Sequence, residues 1–246
     1  MDILDPIAGL LSQVSERYAT HPLLRFNRIY KDVAPNYSLT FTFNQNAPIN
    51  FIVVGAGGTG SHYIANLAQL ISVYKKDTRF NYNISLTIVD GDVVEESNLS
   101  RQRFTAEDLG QNKAKALALR YSSVFGFTVK YLADFIDDVK LTGLIVPEAT
   151  NVIVGCVDNN IARYHINRVF YQSPNSIVWL DSGNNEWNGQ AVFSTNPSFQ
   201  ELSTLTYSDI EINKATGLTS LPTIFHWHPE LLNQLMDEKK KLTCAE

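Results

Sequence analysis

The residues with the clearest chemical potential form a glycine-rich segment directly after a short apolar run. The segment reads FIVVGAGGTGS over residues 51–61, and its glycines are Gly55, Gly57, Gly58 and Gly60. A strand, a glycine turn and a helix start place backbone N–H groups and a positive helix end where a phosphate can bind. The simpler interpretation is a tight turn that packs a helix on a sheet. We expect a nucleotide here, and the glycines alone fit a redox cofactor or a nucleotide substrate equally well.

Polar residues after the next apolar run narrow that choice. Asp90 ends this run, where a carboxylate can accept hydrogen bonds from ribose hydroxyls. The further candidates are Asn98, Arg101, Gln102 and Lys113. Arg and Lys are the natural partners of a triphosphate, and Arg can hold phosphate oxygens with two hydrogen bonds. These residues therefore favour ATP over the diphosphate of a nicotinamide cofactor, whereas Asp92 and Arg103 are interpreted as accessory or surface charges.

A further aspartate follows a third apolar run, which covers residues 151–157. Asp158 would lie at a strand end close to the glycine segment. Carboxylate oxygens suit Mg²⁺ bound to a polyphosphate. The sequence thus predicts a magnesium ligand at Asp158.

The elements that must position these residues alternate between strands and helices. The predicted strands are 51–55, 84–92, 127–133 and 151–157, and the predicted helices are 61–74, 111–124 and 160–172. Two later strands, 177–183 and 190–195, are separated by a polar turn and are predicted to be antiparallel. A strand at 37–43 and a partly helical segment at 222–241 complete the prediction. This alternation predicts an α/β domain in which helices cover both faces of a mostly parallel sheet.

Several motifs together resemble the ThiF/MoeB/ubiquitin-activating enzyme (HesA/MoeB/ThiF) superfamily. They are GAGGTG (55–60), D-x-D-x-V-x-x-S-N-L-x-R-Q (90–102), the lysine of LGQNKA (109–114), V-D-N (157–159) and GQAVF (189–193). The resemblance covers about residues 50–195. The GGTGS form and the TCAE ending also resemble the ThiF-like proteins of the bacterial PRTRC gene cluster.

This resemblance implies a Rossmann-like three-layer domain whose mostly parallel sheet continues into antiparallel strands. It divides the chain into an N-terminal segment (1–48), an ATP-binding adenylation core (49–195) and a crossover or C-terminal helical segment (196–246), within one structural domain. It also implies a homodimer that uses ATP and Mg²⁺ to adenylate the C-terminal carboxylate of a small ubiquitin-like (β-grasp) protein.

The family pattern assigns a role to each matching residue. The four glycines would cradle the nucleotide, and Asp90 would hold the ribose. Asn98, Arg101 and Lys113 would contact phosphates, with Gln102 supporting them. Asp158 would organise Mg²⁺ and the reacting α-phosphate.

The two cysteines of the chain are Cys156 and Cys244. No C-x-x-C pair is present, so we expect no zinc site of the kind that many relatives carry. Cys244 follows three lysines that favour its thiolate, and it resembles the crossover-loop cysteine of relatives, which implies a thioester step. The simpler interpretation is an exposed tail cysteine. Cys156 is interpreted as a small core residue.

Composition excludes several other classes of protein. The net charge of -5 argues against a nucleic-acid partner, which needs a basic surface. No apolar run approaches the roughly 20 residues that span a bilayer, and Asp2 and Asp5 stand where a signal peptide carries basic residues. We therefore expect a cytoplasmic location. Two alternatives stay open: an NAD(P)-dependent Rossmann oxidoreductase, and a non-catalytic nucleotide-binding module of the same fold.

Overall fold

A computed structural model describes the main strands and helices of the chain. The described residues are 47–77, 83–184, 189–196, 206–207, 210–211, 223–227 and 231. The chain divides into two compact units. In one of them, the described residues form a short antiparallel pair, β7 (Thr206–Tyr207) and β8 (Ile210–Glu211). The other unit holds the remaining described elements.

These elements are, in chain order, β1 (Ile49–Val54), α1 (Gly58–Lys76), β2 (Ile84–Val89), α2 (Lys113–Phe125), β3 (Lys130–Leu132), α3 (Asp138–Leu144), β4 (Thr150–Gly155), α4 (Asn160–Gln172), β5 (Ile177–Asn184), β6 (Gly189–Thr195) and α5 (Ile224–Trp227). Two 3-10 helices, Glu96–Asn98 and Ala106–Asp108, lie between β2 and α2.

The strands of this unit form one six-stranded sheet in the order β3-β2-β1-β4-β5-β6. The first five strands are parallel, and β6 pairs with β5 in the antiparallel direction. This order is that of a Rossmann sheet, and ligands of such sheets bind beyond the carboxyl ends of the strands. The predicted Rossmann-like α/β architecture, with a mostly parallel sheet that continues into antiparallel strands, is confirmed.

The register brings the ends of the three central strands together. Val54, the last residue of β1, is paired with Val89 of β2 and with Gly155 of β4. The segments that follow these strands therefore start side by side. The glycine turn, Asp90 and the Asp158 segment all leave the sheet at this carboxyl edge.

Each face of the sheet is covered by its own hydrophobic cluster. Val53 of β1 packs in the cluster formed with α1 and α2, and Ile52 and Val54 pack in the cluster formed with α3 and α4. Because β1 is buried on both faces, it is a continuous apolar run rather than an alternating one. The three-layer arrangement follows from these two clusters.

The predicted helices begin and end at residues with clear local causes. The Asn112 side chain accepts a hydrogen bond from the Lys115 N–H at the start of α2, and Gly126 ends this helix in the left-handed conformation (φ 73°). Asn159 caps α4 in the same way. The sequence analysis missed α3, which Asp137 caps.

Some sequence predictions differ from the structure in extent. β3 covers Lys130–Leu132 rather than 127–133, since it pairs with β2 over three residues. Within the predicted 222–241 segment, Ile224–Trp227 are helical. The predicted strand at 37–43 lies outside the described residues. The predicted boundaries of the core, at residues 48 and 195, lie within two residues of segments that are not described. The proposed division of the chain therefore stays a prediction. Among the described residues, no helix combines the length and the apolar character that crossing a membrane requires.

Candidate functional site

Two of the four glycines are required by the packing of the loop itself. Gly55 has φ +96°, and a Cβ on it would lie 2.5 Å from the Cys156 carbonyl oxygen. A Cβ on Gly60 would lie 1.9 Å from the Gly55 carbonyl oxygen. Only glycine allows these backbones to approach each other so closely. The loop is therefore pressed against the segment that follows β4.

The other two glycines face open space. A Cβ on Gly57 or Gly58 would meet nothing within 4 Å. Gly57 is the N-cap of the 19-residue helix α1, no side chain caps this end, and its first turn carries no acidic residue. An uncapped helix N-terminus beneath open space suits an anion. This part of the site fits a phosphate group.

Asp90 is held against the glycine loop by backbone donors. The Ala56 N–H donates to Asp90 Oδ2 at 2.6 Å, and the Asp92 N–H donates to Oδ1 at 2.8 Å. Burial raises the pKa of Asp90, and these two donors and the nearby Lys113 charge act against that rise. Each carboxylate oxygen keeps a second lone pair for a further donor. The structure thus fixes a candidate ribose acceptor beside a candidate phosphate cradle.

Lys113 is brought to the same edge by a partner that the sequence analysis treated as accessory. Its Nζ lies 3.0 Å from Asp92 Oδ2, and its backbone N–H donates to the Asp92 carbonyl oxygen at 2.9 Å. The Asn112 side chain also donates to the carbonyl oxygens of Asp90 and Asp92, at 2.8 and 3.0 Å. Asp92 and Asn112 therefore position Lys113 at the end of β2.

Asn98 and Gln102 are buried in the turn between β2 and α2. Asn98 Oδ1 accepts from the Glu95 N–H at 3.0 Å, and the Asn98 carbonyl oxygen accepts from the Gln102 N–H at 2.9 Å. Asn98 Nδ2 reaches Ser97 Oγ at 3.5 Å, which is long for a hydrogen bond. The buried Gln102 Oε1 has no partner among the described residues. Asn98 has a clear structural role here and retains a donor that a ligand could use.

Arg101 and Arg103 differ in what they contact. Arg103 donates from its backbone N–H to Ser61 Oγ at 3.1 Å and from Nε to His62 Nδ1 at 3.0 Å. It therefore ties this turn to the start of α1. Arg101 is exposed, and its guanidinium has no hydrogen bond or ion pair with any residue that the structure describes. Of the two, Arg101 is the one whose whole guanidinium is available to a ligand.

Asp158 lies just past β4, exposed and without a side-chain partner in the described ranges. The residue that holds its loop is Arg163, which the sequence analysis missed. Arg163 Nη2 donates to the Val157 carbonyl oxygen at 2.6 Å, and Nε lies 3.1 Å from Asp181 Oδ2. The available signal was a charged residue among the mostly apolar positions that α4 buries.

The two cysteines are in different situations. Cys156 is half-buried, and the Ser182 hydroxyl lies 3.5 Å from its sulfur and 3.0 Å from the Gly155 carbonyl oxygen, so its proton is shared between them. Burial raises the pKa of the Cys156 thiol, which the Ser182 hydrogen bond partly opposes. A thiol that stays protonated in this position agrees with a core role. Cys244 lies outside the described residues, so its thiol role stays a prediction.

Comparison with known proteins identifies the family. The model of the ThiF family matches residues 47–218, more than half of the chain. The chain belongs to the ThiF family. The family resemblance inferred from the sequence is thus confirmed, while the narrower resemblance to PRTRC proteins stays a prediction.

Curated relatives of this ThiF-family chain include activating enzymes of ubiquitin-like modifiers. It is 28% identical over 149 residues to ubiquitin-like modifier-activating enzyme 5 of Dictyostelium discoideum, and the aligned region covers 56% of the chain and 36% of that protein. It is 27% identical over 155 residues to SUMO-activating enzyme subunit 2 of the same organism, and the aligned region covers 61% of the chain and 21% of that protein. The chain thus spans about a third or less of the length of these relatives.

Solved structures with a similar arrangement come from two bacterial enzymes. The E. coli tRNA N6-threonylcarbamoyladenosine dehydratase TcdA is 22% identical with a TM-score of 0.41, covering 55% of this chain and 51% of its own. E. coli MccB, in a complex with succinimide, is 20% identical with a TM-score of 0.41, covering 56% of this chain and 38% of its own.

Proposed function

We propose that this ThiF-family chain uses ATP and Mg²⁺ to adenylate the C-terminal carboxylate of a small ubiquitin-like (β-grasp) protein. The observation that carries the proposal is the hydrogen bond from the Ala56 N–H to Asp90 Oδ2 at 2.6 Å. It joins a candidate ribose acceptor to a glycine loop whose Gly57 and Gly58 leave open space at a helix N-terminus. A ribose and a phosphate of one nucleotide fit these two adjacent features.

The charges around the loop fit a reaction at a phosphate. The exposed Arg101 and the Lys113 ammonium would lie near the phosphate oxygens, with Lys113 oriented by Asp92. A carboxylate oxygen of the substrate attacks the α-phosphorus, a new P–O bond forms, and the bond to the oxygen bridging the α- and β-phosphates breaks. Pyrophosphate leaves with that electron pair. Fixed cations lower the energy of the negative charge that accumulates.

Asp158 fits the position of a magnesium ligand. Its carboxylate is exposed at the end of β4, and a hard oxygen donor is what Mg²⁺ prefers. Bound with the nucleotide, Mg²⁺ would neutralise part of the phosphate charge. Arg163 would fix the main chain beside Asp158 through the Val157 carbonyl oxygen, so the carboxylate would be oriented before substrate binds.

The relatives support the class of partner. Proteins named ubiquitin-like modifier-activating enzyme 5 and SUMO-activating enzyme subunit 2 match the core of this chain. A small ubiquitin-like protein is therefore the proposed acceptor, and a homodimer is the proposed assembly. In a following step, the Cys244 sulfur would attack the acyl-adenylate carbonyl and AMP would leave, which forms a thioester.

The test is ATP–pyrophosphate exchange with small β-grasp proteins whose genes neighbour the gene of this chain. Wild-type protein should exchange label in the presence of its partner, and Asp158→Ala should lose most exchange while its melting temperature is kept. Asp77→Ala, at the opposite end of α1, is the matched control and should exchange normally. Cys244→Ala should exchange like wild type and lose any thioester. Absence of exchange with every partner, together with no ATP binding in calorimetry, would refute the proposal.

A further inference from the structure

Arg103 is held in place through both its main chain and its side chain. Its N–H donates to Ser61 Oγ at 3.1 Å, and its carbonyl oxygen accepts a hydrogen bond from Arg120 Nη1. Its guanidinium Nε donates to His62 Nδ1 at 3.0 Å. The residue is nevertheless exposed. A side chain that is fixed before binding loses little freedom when it contacts a ligand, so this anchoring suits a binding residue.

The part of the guanidinium that the anchors leave over suits an anion. His62 occupies only the Nε–H of Arg103. Neither Nη atom has a hydrogen bond or an ion pair with a residue in the described ranges. The Nη atoms form a planar fork that matches two oxygens of one phosphate or carboxylate group. Arg103 therefore presents a fixed pair of donors at the surface.

His62 supplies a further donor at the same place. A guanidinium N–H can only donate, so His62 Nδ1 accepts, and the proton of this neutral imidazole lies on Nε2. The His62 side chain is exposed, so its Nε2–H can also reach a ligand. The pair thus combines one positive charge with donors on both side chains.

This pair lies one helical turn from the open part of the glycine loop. His62 follows Gly58 by four residues, so both lie on one face of α1, about 6 Å apart along the helix axis. Side chains of a helix lean toward its N-terminus, and the space beside Gly58 is open. Ser61 links the two places, because its Oγ accepts from the Arg103 N–H and donates to the Gly58 carbonyl oxygen at 3.3 Å.

The positive charge of Arg103 differs from that of its neighbour Arg120. Arg120 forms an ion pair with Asp108. Arg103 has no such pair with a residue that the structure describes, and the first turn of α1 beside it carries no acidic residue. An uncompensated cation next to a helix N-terminus favours an anion with several negative charges.

We propose that Arg103 and His62 form an anion site for a phosphate group that lies beyond the one on the glycine loop. This inference rests on the proposed function, which supplies two sources of such a group: the terminal phosphates of bound ATP and the pyrophosphate that leaves. Both residues lie outside the family motifs identified in the sequence. The site is farther from Asp90 than the glycine loop is, so it would bind ATP or pyrophosphate and would not contact AMP.

Calorimetry with inorganic pyrophosphate, ATP and AMP tests the site. Arg103→Met removes the fork and should weaken pyrophosphate binding about 10-fold, the effect of one hydrogen-bonded charge. Its affinity for AMP and its melting temperature should be those of wild type. Lys76→Met is the matched control, since it removes the same charge from the last turn of α1, about 20 Å from His62. It should bind all three ligands normally.

Two variants of His62 test its part in the site. His62→Leu removes the acceptor that steers Arg103 and the donor on Nε2, so it should weaken pyrophosphate binding, by less than Arg103→Met does. His62→Gln keeps an oxygen that can accept from Arg103 and an N–H that can donate. It should therefore bind pyrophosphate more tightly than His62→Leu. Equal affinities of these two variants would exclude His62 from the site.

The ATP measurement identifies the source of the phosphate group. A similar loss for ATP and pyrophosphate in Arg103→Met assigns the site to the terminal phosphates of the bound nucleotide. A loss for pyrophosphate alone assigns it to the free product.

Other results would overturn the inference or the function on which it rests. Unchanged pyrophosphate affinity in Arg103→Met overturns the anion site and leaves the adenylation proposal intact. An equal loss for AMP also overturns it, because the substitution then disturbs the whole turn. If wild-type protein binds pyrophosphate through Arg103 and does not bind ATP, the anion site stands and the proposed function fails.

Discussion

Arg163 of α4 and Asp181 of β5 form a buried ion pair directly behind the loop that carries Asp158. Arg163 Nε lies 3.1 Å from Asp181 Oδ2, and the two side chains are 9% and 1% exposed. Burial raises the pKa of Asp181, and the Arg163 charge acts against that rise. A Cβ on Gly155 would lie 2.7 Å from Asp181 Oδ1, so the end of β4 is shaped around this carboxylate.

Removal of one member of this pair should destabilise the fold strongly. Arg163→Met leaves the Asp181 carboxylate buried without its partner, which costs about 3–5 kcal/mol of unfolding free energy. Urea unfolding measures the loss. Arg163→Met combined with Asp181→Leu should recover a large part of it, because both charges are then absent.

Lys140→Met provides the control for this prediction. Lys140 forms its ion pairs at the surface, with side chains 34% to 50% exposed, so water screens these pairs and their loss should change the unfolding free energy far less than Arg163→Met does. A loss for Arg163→Met as small as that for Lys140→Met would contradict a stabilising role of the buried pair.

The glycine loop predicts opposite outcomes for two neighbouring substitutions. Gly60→Ala places a Cβ 1.9 Å from a backbone oxygen, so the loop must shift and both stability and nucleotide affinity should fall. Gly58→Ala meets nothing within 4 Å, and alanine is favoured over glycine in a helix by up to about 1 kcal/mol. Its unfolding free energy should be kept or raised. Its nucleotide affinity should still fall, since the methyl group projects into the open space above the loop.

Thermal melting and ATP calorimetry on both variants check these outcomes. Gly126→Ala serves as a control, because Gly126 has a left-handed conformation (φ 73°) and lies far from the loop. This variant should melt at a lower temperature and bind ATP as wild type does. Normal ATP binding by Gly58→Ala would show that the nucleotide does not approach this part of the loop.

The parts of the structure that depend on local sequence could be predicted. The apolar run of β1, the glycines after it and the helical periodicity of α2 and α4 are short-range signals, and each was found at or near its place. The mostly parallel sheet followed from the alternation of strands with helices. Asp90 and Asp158 were placed at strand ends for the same reason.

The parts that depend on contacts between distant residues could not be predicted. The Lys113–Asp92 and Arg163–Asp181 pairs form only when separate elements meet, and nothing in the spacing of these residues specifies a partner. The packing of the Phe135 ring on Gly91 also joins two separate segments, and nothing in the sequence indicates it. The helix α3 is only seven residues long, and so short a segment shows little periodicity.

The pKa of Asp90 predicts a pH dependence of ribose binding. Burial raises this pKa, so the carboxylate takes up a proton at a higher pH than an ordinary aspartate does. A protonated carboxyl accepts hydroxyl hydrogen bonds less well, and affinity should therefore fall with decreasing pH before the usual aspartate range is reached.

Adenosine is the suitable probe because it carries no phosphate that titrates. Its dissociation constant, measured from pH 7 downward, should increase at a pH above about 3.9, the usual aspartate value. A dideoxyadenosine without the 2′ and 3′ hydroxyls should show little of this dependence. Equal pH profiles for the two nucleosides would mean that Asp90 does not contact the ribose.

The environment of Cys156 predicts a slowly reacting thiol. Burial raises its pKa, and only the thiolate is nucleophilic, so the native protein should react slowly with a disulfide reagent at neutral pH. Cys244→Ala leaves Cys156 as the single thiol of the chain, which makes its rate measurable without separation. The rate should increase with pH up to values above about 8.5, the usual cysteine pKa. Unfolding in urea should return the rate to that of a free cysteine.

Ser182→Ala in the same background tests the cause of this behaviour. The Ser182 hydroxyl proton is shared between the Gly155 carbonyl oxygen at 3.0 Å and the Cys156 sulfur at 3.5 Å. Donation to the sulfur lowers the pKa of Cys156, so the loss of that donor should shift the profile to higher pH. A fast, complete reaction of native Cys244→Ala at pH 7 would contradict the structural assignment. Cys156 would then be an accessible thiolate at the carboxyl edge of β4, beside the proposed adenylate, and a candidate acceptor of the activated group.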